Sequence, residues 1–345
     1  MIQVFSATRV TRYIAAIIAS FAIMLSAVQA TAERPQTTDE DADSIRITLL
    51  GTGTPPTSTT QFGASTLIEA GGHALLFDCG RGCGIRLMQA RPALYNRINR
   101  LFLTHMHSDH MVGVADVYMN GWLLGRSDTF HAYGPVGTRH YLEGLHAAFE
   151  PDIRTRNVLE NFPPDTNGLN LQIRENVGDG IVFDDDGVRV TAFLVDHAGA
   201  RPAYGYRVDY DGRSVLLSGD TKLSPNLEAH AQDVDVIIHE VIPTSLIERL
   251  DQLYPPQQVA GIVAHHTRPD EVGQLLSRIA PRLAVYSHYL SAPDSDARLL
   301  EETARYWDGA VIAGQDLTSI EIGVRQITVC EPDQSCRTID ETEWH

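Results

Sequence analysis

The stretch LFLTHMHSDHMVG at residues 101–113 holds three histidines and an aspartate within six residues, directly after an apolar run. The apolar run predicts a buried strand, so the polar side chains that follow would lie just beyond its end. On a helix, His105 and His107 would point to different sides, whereas side chains in a loop at a strand end can converge on one point. Imidazole nitrogen and carboxylate oxygen are both zinc ligands. The stretch therefore predicts a metal site, and a plain polar turn is the alternative.

Three other places in the chain repeat this arrangement of a histidine or aspartate after an apolar, β-like run. They are His197 in AFLVDHAG, Asp220 in VLLSGDTK and His288 in LAVYSHYL. Each is weak evidence alone, because short motifs of this kind arise by chance. Together with the HMHSDH cluster they predict one site assembled from four strand ends. Two metal ions close together need more ligands than the cluster supplies, and these three residues would complete such a set.

Strand and helix patterns from residue 45 onward indicate an α/β fold. Each half of the chain has strand-like runs, such as HALLFDCG and RSVLLSGD, and helix-like runs, such as MVGVADVYMNGWLL and EVGQLLSRIA. Such blocks predict two β-sheets packed together with helices outside. Between the halves, from residue 133 to 186, the apolar rhythm weakens and Pro, Asn and Asp accumulate. We expect an irregular insertion or lid there.

Residues 1–30 have the features of a secretory signal peptide, because Arg9 and Arg12 precede an apolar run that ends in small residues. Residues 31–44 are polar and acidic, so they predict a disordered linker. The folded domain would then span residues 45–345 and be periplasmic or secreted, without a stable membrane span once the peptide is cleaved. An uncleaved membrane anchor is the alternative, because the apolar run is just long enough to cross a bilayer.

The charge and the cysteines bear on partners and compartment. The formal net charge of −17 disfavours a nucleic-acid partner, because such binding depends on neutralising phosphates with Lys and Arg. Cys330 and Cys336 flank a turn-forming EPDQS and could close a small disulfide loop in an oxidising compartment. Cys79 and Cys83 could pair, or stay free and buried.

The order HMHSDH, His, SGDT, His resembles the metallo-β-lactamase superfamily over nearly all of residues 45–320. The resemblance implies an αββα sandwich with a dinuclear metal site at one edge. Carried over to this sequence, it implies one ion held by His105, His107 and His197, a second held by Asp109, His110 and His288, and Asp220 bridging the two. Zinc is the default ion, although manganese or iron also suits such a ligand set. An aspartate rather than a cysteine at position 220 argues against a class B β-lactamase.

Further motifs resemble one branch of that superfamily, the ribonuclease Z and arylsulfatase-like proteins, with the secreted arylsulfatase-like hydrolases closest. The motifs are LLGTGTPP, LLFDCGRG, GPVGT, GYRVDYDGRSVLLSGDT, IIHEVIP and AHHT. In such relatives the Glu of the HE pair and the His of the later segment help the leaving group, which implies that Glu240 and His265 handle protons. Alternatively, Glu240 only orders its neighbours and His265 is a surface residue, since the adjacent His266 leaves the register open. Asp109 would orient the nucleophile or accept its proton.

The resemblance implies a hydrolase whose two cations lower the pKa of a shared water and present hydroxide to an ester. We expect a small sulfate ester or phosphodiester as substrate. Ribonuclease Z enzymes generally carry a tRNA-binding arm between the third-motif His and the bridging Asp. Only 22 residues separate His197 from Asp220, which disfavours 3′ tRNA processing. The same motifs would also suit a lactonase, a β-lactam hydrolase or a non-catalytic metal-binding protein. The oligomeric state is left open, with a homodimer as one form.

Several polar residues outside this set have no visible ligand partner. The DDD run at residues 184–186 predicts a solvated turn, with calcium binding as the alternative. We interpret Arg201 and Lys222 as residues of the solvated surface, with a place in a substrate pocket as the alternative. Six histidines have no ligand partner that is visible in the sequence, and we expect them to be structural: His73, His131, His140, His146, His230 and His239.

Overall fold

The computed structural model describes residues 44–340, apart from residues 161, 164 and 177. The predicted signal peptide (1–30) lies outside these residues, and so does the predicted linker (31–44) except for Ser44. None of the helices in this part of the chain is long and apolar enough to cross a membrane.

Nine strands form the first sheet, in the spatial order β16-β15-β14-β1-β2-β3-β4-β5-β6. In chain order they are β1 (Ile45–Gly51), β2 (Ser65–Ala70), β3 (His73–Phe77), β4 (Arg100–Phe102), β5 (Phe130–Gly134), β6 (Leu171–Glu175), β14 (Ser319–Ile322), β15 (Gln326–Cys330) and β16 (Cys336–Asp340). The strands β3 to β6 are parallel, and the other neighbours are antiparallel. Parallel strands are covered on both faces, which explains the apolar runs in β3 and β4.

Seven strands form the second sheet, in the spatial order β13-β12-β11-β10-β9-β8-β7. In chain order they are β7 (Gly180–Asp185), β8 (Val188–Val195), β9 (Ala203–Tyr210), β10 (Arg213–Leu217), β11 (Val236–Glu240), β12 (Leu283–Ser287) and β13 (Val311–Ala313). The strands β10 to β13 are parallel, whereas β7 to β10 pair as antiparallel neighbours. Because β8 therefore runs in the same direction as β10, the carboxyl ends of β8, β10, β11 and β12 lie at one edge of the sheet.

Helices lie between the strands along the chain. They are α1 (Cys83–Ala90), α2 (Ser108–Met111), α3 (Val114–Leu123), α4 (Thr138–Arg154), α5 (Pro225–His230), α6 (Thr244–Leu253), α7 (Pro256–Val263), α8 (Pro269–Ile279) and α9 (Pro293–Thr303). Shorter helical segments are Pro92–Arg97 and Asn167–Leu169, of the 3₁₀ type, and Thr155–Glu160, of the π type.

Three apolar clusters separate the layers. One lies between the sheets, where Phe77 and Phe102 contact Tyr206 at ring-centroid distances of 5.5 and 5.8 Å. A second lies between the first sheet and α1, α3 and α4, and a third between the second sheet and α5, α8 and α9. Each fully buried large apolar side chain contributes about 1.5–3 kcal/mol relative to an exposed one. The layers run helix, sheet, sheet, helix, which confirms the predicted αββα sandwich.

Segment 133–186, predicted to be an irregular insertion, consists largely of regular elements. It contains α4, β6 and β7. The strand β6 is an edge strand of the first sheet, and β7 is an edge strand of the second. Within α4, Leu142 is fully buried and Phe149 packs on the same apolar cluster. The prediction of irregularity was wrong because the polar face of α4 and its internal Pro151 hide the helical spacing of its apolar side chains.

Both cysteine pairs form disulfides, Cys79 with Cys83 and Cys330 with Cys336. The second bond joins β15 to β16 across the EPDQS turn. The first joins the chain just after β3 to the start of α1, beside the HMHSDH loop. The backbone N–H of Cys79 donates to the carbonyl of His110 at 2.7 Å, and the N–H of Gly113 donates to the carbonyl of Cys79 at 2.9 Å. These hydrogen bonds fix the HMHSDH loop against the end of β3.

Candidate dinuclear metal centre

The seven side chains predicted as metal ligands lie beyond the carboxyl ends of strands from both sheets. Four of them follow β4, in or just before α2, and the others follow β8, β10 and β12. The structure brings all seven together at one edge of the sandwich: His105, His107, Asp109, His110, His197, Asp220 and His288.

One group contains His105, His107, His197 and Asp220, whose ligand atoms all lie within 4.8 Å of one another. Nε2 of His105 and Nε2 of His197 each lie 3.8 Å from Oδ2 of Asp220. Nδ1 of His107 lies 2.8 Å from Nε2 of His105 and 3.3 Å from Nε2 of His197. Two ligands of a tetrahedral zinc ion, with bonds of about 2.0–2.1 Å, lie roughly 3.4 Å apart. These four side chains therefore have spacings close to those of one coordination shell.

The second group contains Asp109, His110 and His288. Oδ2 of Asp109 lies 3.7 Å from Nε2 of each histidine. Asp220 faces this group as well, because its Oδ1 lies 3.4 Å from Nε2 of His110 and its Oδ2 lies 3.1 Å from Nε2 of His288. Asp220 thus lies between the two groups, where its carboxylate can contact an ion in each.

Hydrogen bonds orient three of the histidine rings so that Nε2 faces the centre. In each ring Nδ1 contacts an oxygen of a neighbouring loop: Oδ2 of Asp78 for His110 at 2.8 Å, the carbonyl of His265 for His197 at 3.0 Å, and the carbonyl of Gly53 for His288 at 2.9 Å. A carbonyl only accepts, so Nδ1 of the last two rings carries the proton. This tautomer leaves the Nε2 lone pair available to a metal ion.

The buried polar atoms of the centre fit a pair of divalent cations. Oδ2 of Asp109, Nε2 of His110 and Oδ1 of Asp220 are buried and have no hydrogen-bond partner among the described residues. Buried groups of this kind are unfavourable unless they are hydrogen-bonded, paired or bound to a metal. Histidine nitrogens with carboxylate oxygens form a donor set that divalent metals accept. The residues present therefore fit the two metal ions that the sequence predicts.

The pKa shifts differ among the ligands of the centre. Burial alone would lower the pKa of His110 and of His288, but Asp220 raises both. Burial lowers the pKa of His105 well below its usual value, so this ring is neutral at pH 7, as a metal ligand must be. Burial alone would raise the pKa of Asp220, but His288 and His110 hold it well below its usual value. The position between the two groups therefore carries a negative charge.

Asp78 is absent from the predicted site residues, yet its carboxylate orients the centre. It accepts hydrogen bonds from the backbone N–H and the hydroxyl of Thr104, both at 2.8 Å, and it contacts Nδ1 of His110. Asp78 directly follows the apolar strand β3. The signal that reveals the other residues, an acidic or histidine side chain after an apolar run, therefore marks Asp78 as well.

Glu240 pairs with His266 and not with His265, so the predicted pair was wrong by one position. Oε2 of Glu240 lies 3.1 Å from Nδ1 of His266, and its Oε1 accepts from the backbone N–H groups of Thr221 and Thr267, each at 3.1 Å. The chain leaves α7 through a turn in which the N–H groups of both histidines bond back to the helix. This turn brings His266, rather than His265, against Glu240.

The two histidines have different surroundings. His265 uses its carbonyl to orient His197, and its ring centroid lies 5.9 Å from that of His197. The ring of His266 lies 5.4 Å from that of His197 and 6.5 Å from that of His288. Burial alone would lower the pKa of His266, but Glu240 raises it to about 9. Glu240 therefore favours the protonated form of an imidazole that lies beside both ligand groups.

Sequence comparison relates the chain to proteins of known family. The family described as "Beta-lactamase superfamily domain" matches residues 73–289. A protein named ribonuclease Z from Mycobacterium sp. (strain KMS) is 34% identical over 81% of this chain and 96% of its own length. The ribonuclease Z of Mycobacterium marinum (strain ATCC BAA-535 / M) is 32% identical over 81% of this chain and 100% of its own length.

Solved structures share the fold. The metallo-beta-lactamase fold protein YhfI from Bacillus subtilis has a TM-score of 0.62 at 16% identity, over 81% of this chain and 100% of YhfI. Human tRNase Z, short form, has a TM-score of 0.59 at 19% identity, over 80% of this chain and 98% of that chain. At these identities the likeness shows the fold alone. With the family match and the ribonuclease Z relatives, the chain belongs to the metallo-β-lactamase superfamily, in its ribonuclease Z-like branch, and is a hydrolase of ester bonds.

Proposed function

We propose that the protein is a dinuclear, metal-dependent phosphodiesterase. The observation that carries this proposal is the position of Asp220, 3.8 Å from Nε2 of His105 on one side and 3.4 Å from Nε2 of His110 on the other. Two adjacent sites for divalent cations, sharing one carboxylate, would suit phosphoryl displacement. The relatives that match almost end to end are named as ribonucleases, which supports a phosphodiester over the sulfate ester that we also expected.

Seven side chains would hold the ions in this proposal. His105, His107 and His197 would hold the first, Asp109, His110 and His288 the second, and Asp220 would contact both. When bound, two divalent cations, zinc by default, supply Lewis acidity, make water a nucleophile at neutral pH and offset the charge of the phosphate.

The remaining steps fall to side chains of the chain itself. Asp109 faces the second group through Oδ2, and the same carboxylate can also orient the attacking water and accept its proton. His266, protonated through its contact with Glu240, is placed to donate a proton to the leaving oxygen. The N–H groups of Thr221 and Thr267 hold Glu240 in position, which keeps His266 directed at the centre.

The observations disagree on the size of the substrate. The names of the relatives favour RNA, against our expectation that nucleic acid is not a partner. The net charge of −17 supports a small diester instead. So does the short connection from His197 to Asp220, where β9 and β10 form a tight hairpin in place of a long arm. We propose the phosphodiester bond as the reacting group in either case.

The test is a substrate panel on purified protein loaded with zinc. It would contain bis(p-nitrophenyl) phosphate, p-nitrophenyl sulfate, an acyl-homoserine lactone, a β-lactam and a precursor tRNA with a 3′ trailer. We expect the protein to hydrolyse the phosphodiester faster than zinc alone does. Cleavage of the precursor tRNA would show whether RNA is among the substrates. Asp220→Asn, similar in shape but uncharged, is the inactive control. Turnover of the sulfate, the lactone or the β-lactam without the diester would overturn the proposal, and full activity of Asp220→Asn would overturn the site.

We also propose that the protein is exported to the periplasm or the medium. The two disulfides support this, because such bonds persist mainly in oxidising compartments. Cell fractionation followed by N-terminal sequencing would test it. We expect an exported form that begins close after residue 30, and full-length protein in the cytoplasm would contradict the proposal.

A further inference from the structure

A second cluster of potential metal ligands lies far from the dinuclear centre. It consists of His73, the first residue of β3, with Asp185 at the end of β7 and Asp186 in the turn that follows. The strand β3 approaches the centre only at its other end, where Asp78 follows it. At about 3.3 Å per residue, this strand separates His73 from the centre by roughly 16 Å.

Two hairpin turns from different sheets bring these ligands together. The β2–β3 turn belongs to the first sheet and the β7–β8 turn to the second. The turns are in close contact, because a side chain added at Gly71 would meet Val188 at 2.6 Å. Asp186 has a φ of 46°, in the left-handed region that aspartate tolerates in tight turns. An ion bound to both turns would therefore join the two sheets.

The spacing of the ligand atoms matches that in the dinuclear centre. Nε2 of His73 lies 3.8 Å from Oδ2 of Asp185 and 3.9 Å from Oδ2 of Asp186. In the centre, Nε2 of His105 lies 3.8 Å from Oδ2 of Asp220. These distances exceed the roughly 3.4 Å expected around a bound zinc ion. The side chains of Asp185 and Asp186 are 52% and 78% exposed, so they have room to rotate inward.

The side chain of His73 gives an independent reason to expect a ligand. It is only 10% exposed, and its Nε2 is buried with no hydrogen-bond partner among the residues that the structure describes. Arg100 lies 3.8 Å from Asp185, and the second carboxylate keeps the cluster negative beside that cation.

We propose that His73, Asp185 and Asp186 bind one divalent transition-metal ion, with zinc as the expected ion, separately from the dinuclear centre. A histidine nitrogen with carboxylate oxygens suits such an ion better than calcium, which takes oxygen ligands. Three protein ligands leave further positions to water. Because the ligands come from both sheets, the bound ion stabilises the sandwich at the end away from catalysis. His73 then has a role beyond packing, and the DDD turn is more than a solvated surface.

The test compares zinc binding by the wild type and by Asp185→Asn/Asp186→Asn. This double variant changes exposed side chains only and keeps His73. Both proteins would be brought to equilibrium with increasing zinc, and bound metal would be measured by mass spectrometry. We expect the variant to bind one equivalent less than the wild type and to lose a rise of a few degrees in melting temperature as that equivalent binds. The readout is the difference between the proteins, so it does not depend on how many ions the dinuclear centre retains.

Two further measurements locate the ion. His140→Ala, which removes an exposed histidine elsewhere, is the matched control and is expected to bind zinc as the wild type does. Anomalous scattering at the zinc edge is expected to give a peak between His73 and the two aspartates. Equal zinc content in the wild type and the double variant, or no such peak in zinc-soaked wild-type crystals, would overturn the proposal. Activity on the phosphodiester is expected to be the same in both proteins, because the cluster lies outside the catalytic machinery.

Discussion

The carboxylate of Asp78 fixes the ring of His110 from behind, through its contact with Nδ1 at 2.8 Å. Residues that hold a metal ligand in this way change metal affinity about 10- to 100-fold when they are removed. We expect Asp78→Ala to weaken zinc binding at the second group by about 10- to 100-fold, with activity recovering at high zinc concentration. Titration of activity against free zinc measures this, and Asp251→Ala, at an exposed position of α6, is the control. A loss that added zinc does not restore would show that Asp78 supports the fold instead.

His266 and His265 are sequence neighbours that form a natural pair for a test of proton donation. A general acid matters most when the leaving group is a poor one, and it contributes about 10²- to 10⁴-fold. We expect His266→Ala to lower kcat/KM about 100-fold on a diester with an alkyl leaving group, and far less on a nitrophenyl ester. His265→Ala is expected to change neither rate much, because His265 supports His197 through its carbonyl. Equal losses on both esters would argue against proton donation by His266.

The sequence could not determine whether His265 or His266 contacts Glu240, although it predicted other residues of the site. The residues at strand ends could be predicted because each follows an apolar run in the sequence, and the structure brings them together. Asp78 also follows an apolar run. The partner of Glu240 depends instead on how the chain unwinds after α7, where the N–H groups of His265 and His266 bond back to Ile262 and Val263. Such backbone detail is set by tertiary packing, so the motif AHHT does not predict it.

At the scale of elements, the connection between β1 and β2 is held by one buried carboxylate. Asp316 accepts hydrogen bonds from the backbone N–H groups of Thr52 at 2.9 Å and Phe62 at 2.8 Å, and from Nε of Arg86 at 3.0 Å. We expect Asp316→Ala to lower the free energy of unfolding by about 3 kcal/mol, because it leaves the buried N–H of Thr52 without its acceptor and the half-buried Arg86 without its carboxylate partner.

Urea unfolding monitored by fluorescence would measure this loss. Asp316→Asn keeps an acceptor oxygen and is expected to lose less stability than Asp316→Ala. The same connection carries Gly53, whose carbonyl orients His288, so zinc affinity is expected to fall along with stability in Asp316→Ala. An unfolding midpoint equal to that of the wild type would contradict the role of Asp316.

The elements that could be predicted are those whose apolar residues are contiguous. The strands β10 to β12 each contain at least three apolar residues in a row, so the sequence predicts them. The helix α4 was missed although its side chains at every fourth position, Tyr141, Leu145, Phe149 and Ile153, pack on the first sheet. That spacing is typical of a half-buried helix. Polar residues between these positions and Pro151 within the helix obscured it.

At the scale of the whole molecule, the net charge of −17 predicts how the enzyme treats substrates of different charge. Repulsion slows the approach of a polyanion, and salt screens it within about 8 Å at physiological ionic strength. The basic residues nearest in sequence to His197 and Asp220 do not offset this charge, because Arg201 and Lys222 each pair with Asp196 at 3.0 Å.

We therefore expect kcat/KM on an oligoribonucleotide to rise as salt is raised from low to physiological concentration. The negatively charged protein repels a singly charged nitrophenyl diester only weakly at long range, so the kcat/KM for this diester should change little over the same range of salt. A protein that binds RNA through its phosphates shows the opposite trend, because salt weakens each contact between a cation and a phosphate. Initial rates on both substrates at several salt concentrations, with free zinc held constant, would measure the two slopes. A fall in kcat/KM on the oligoribonucleotide would reveal a basic path to the centre and would favour RNA over a small diester as the substrate.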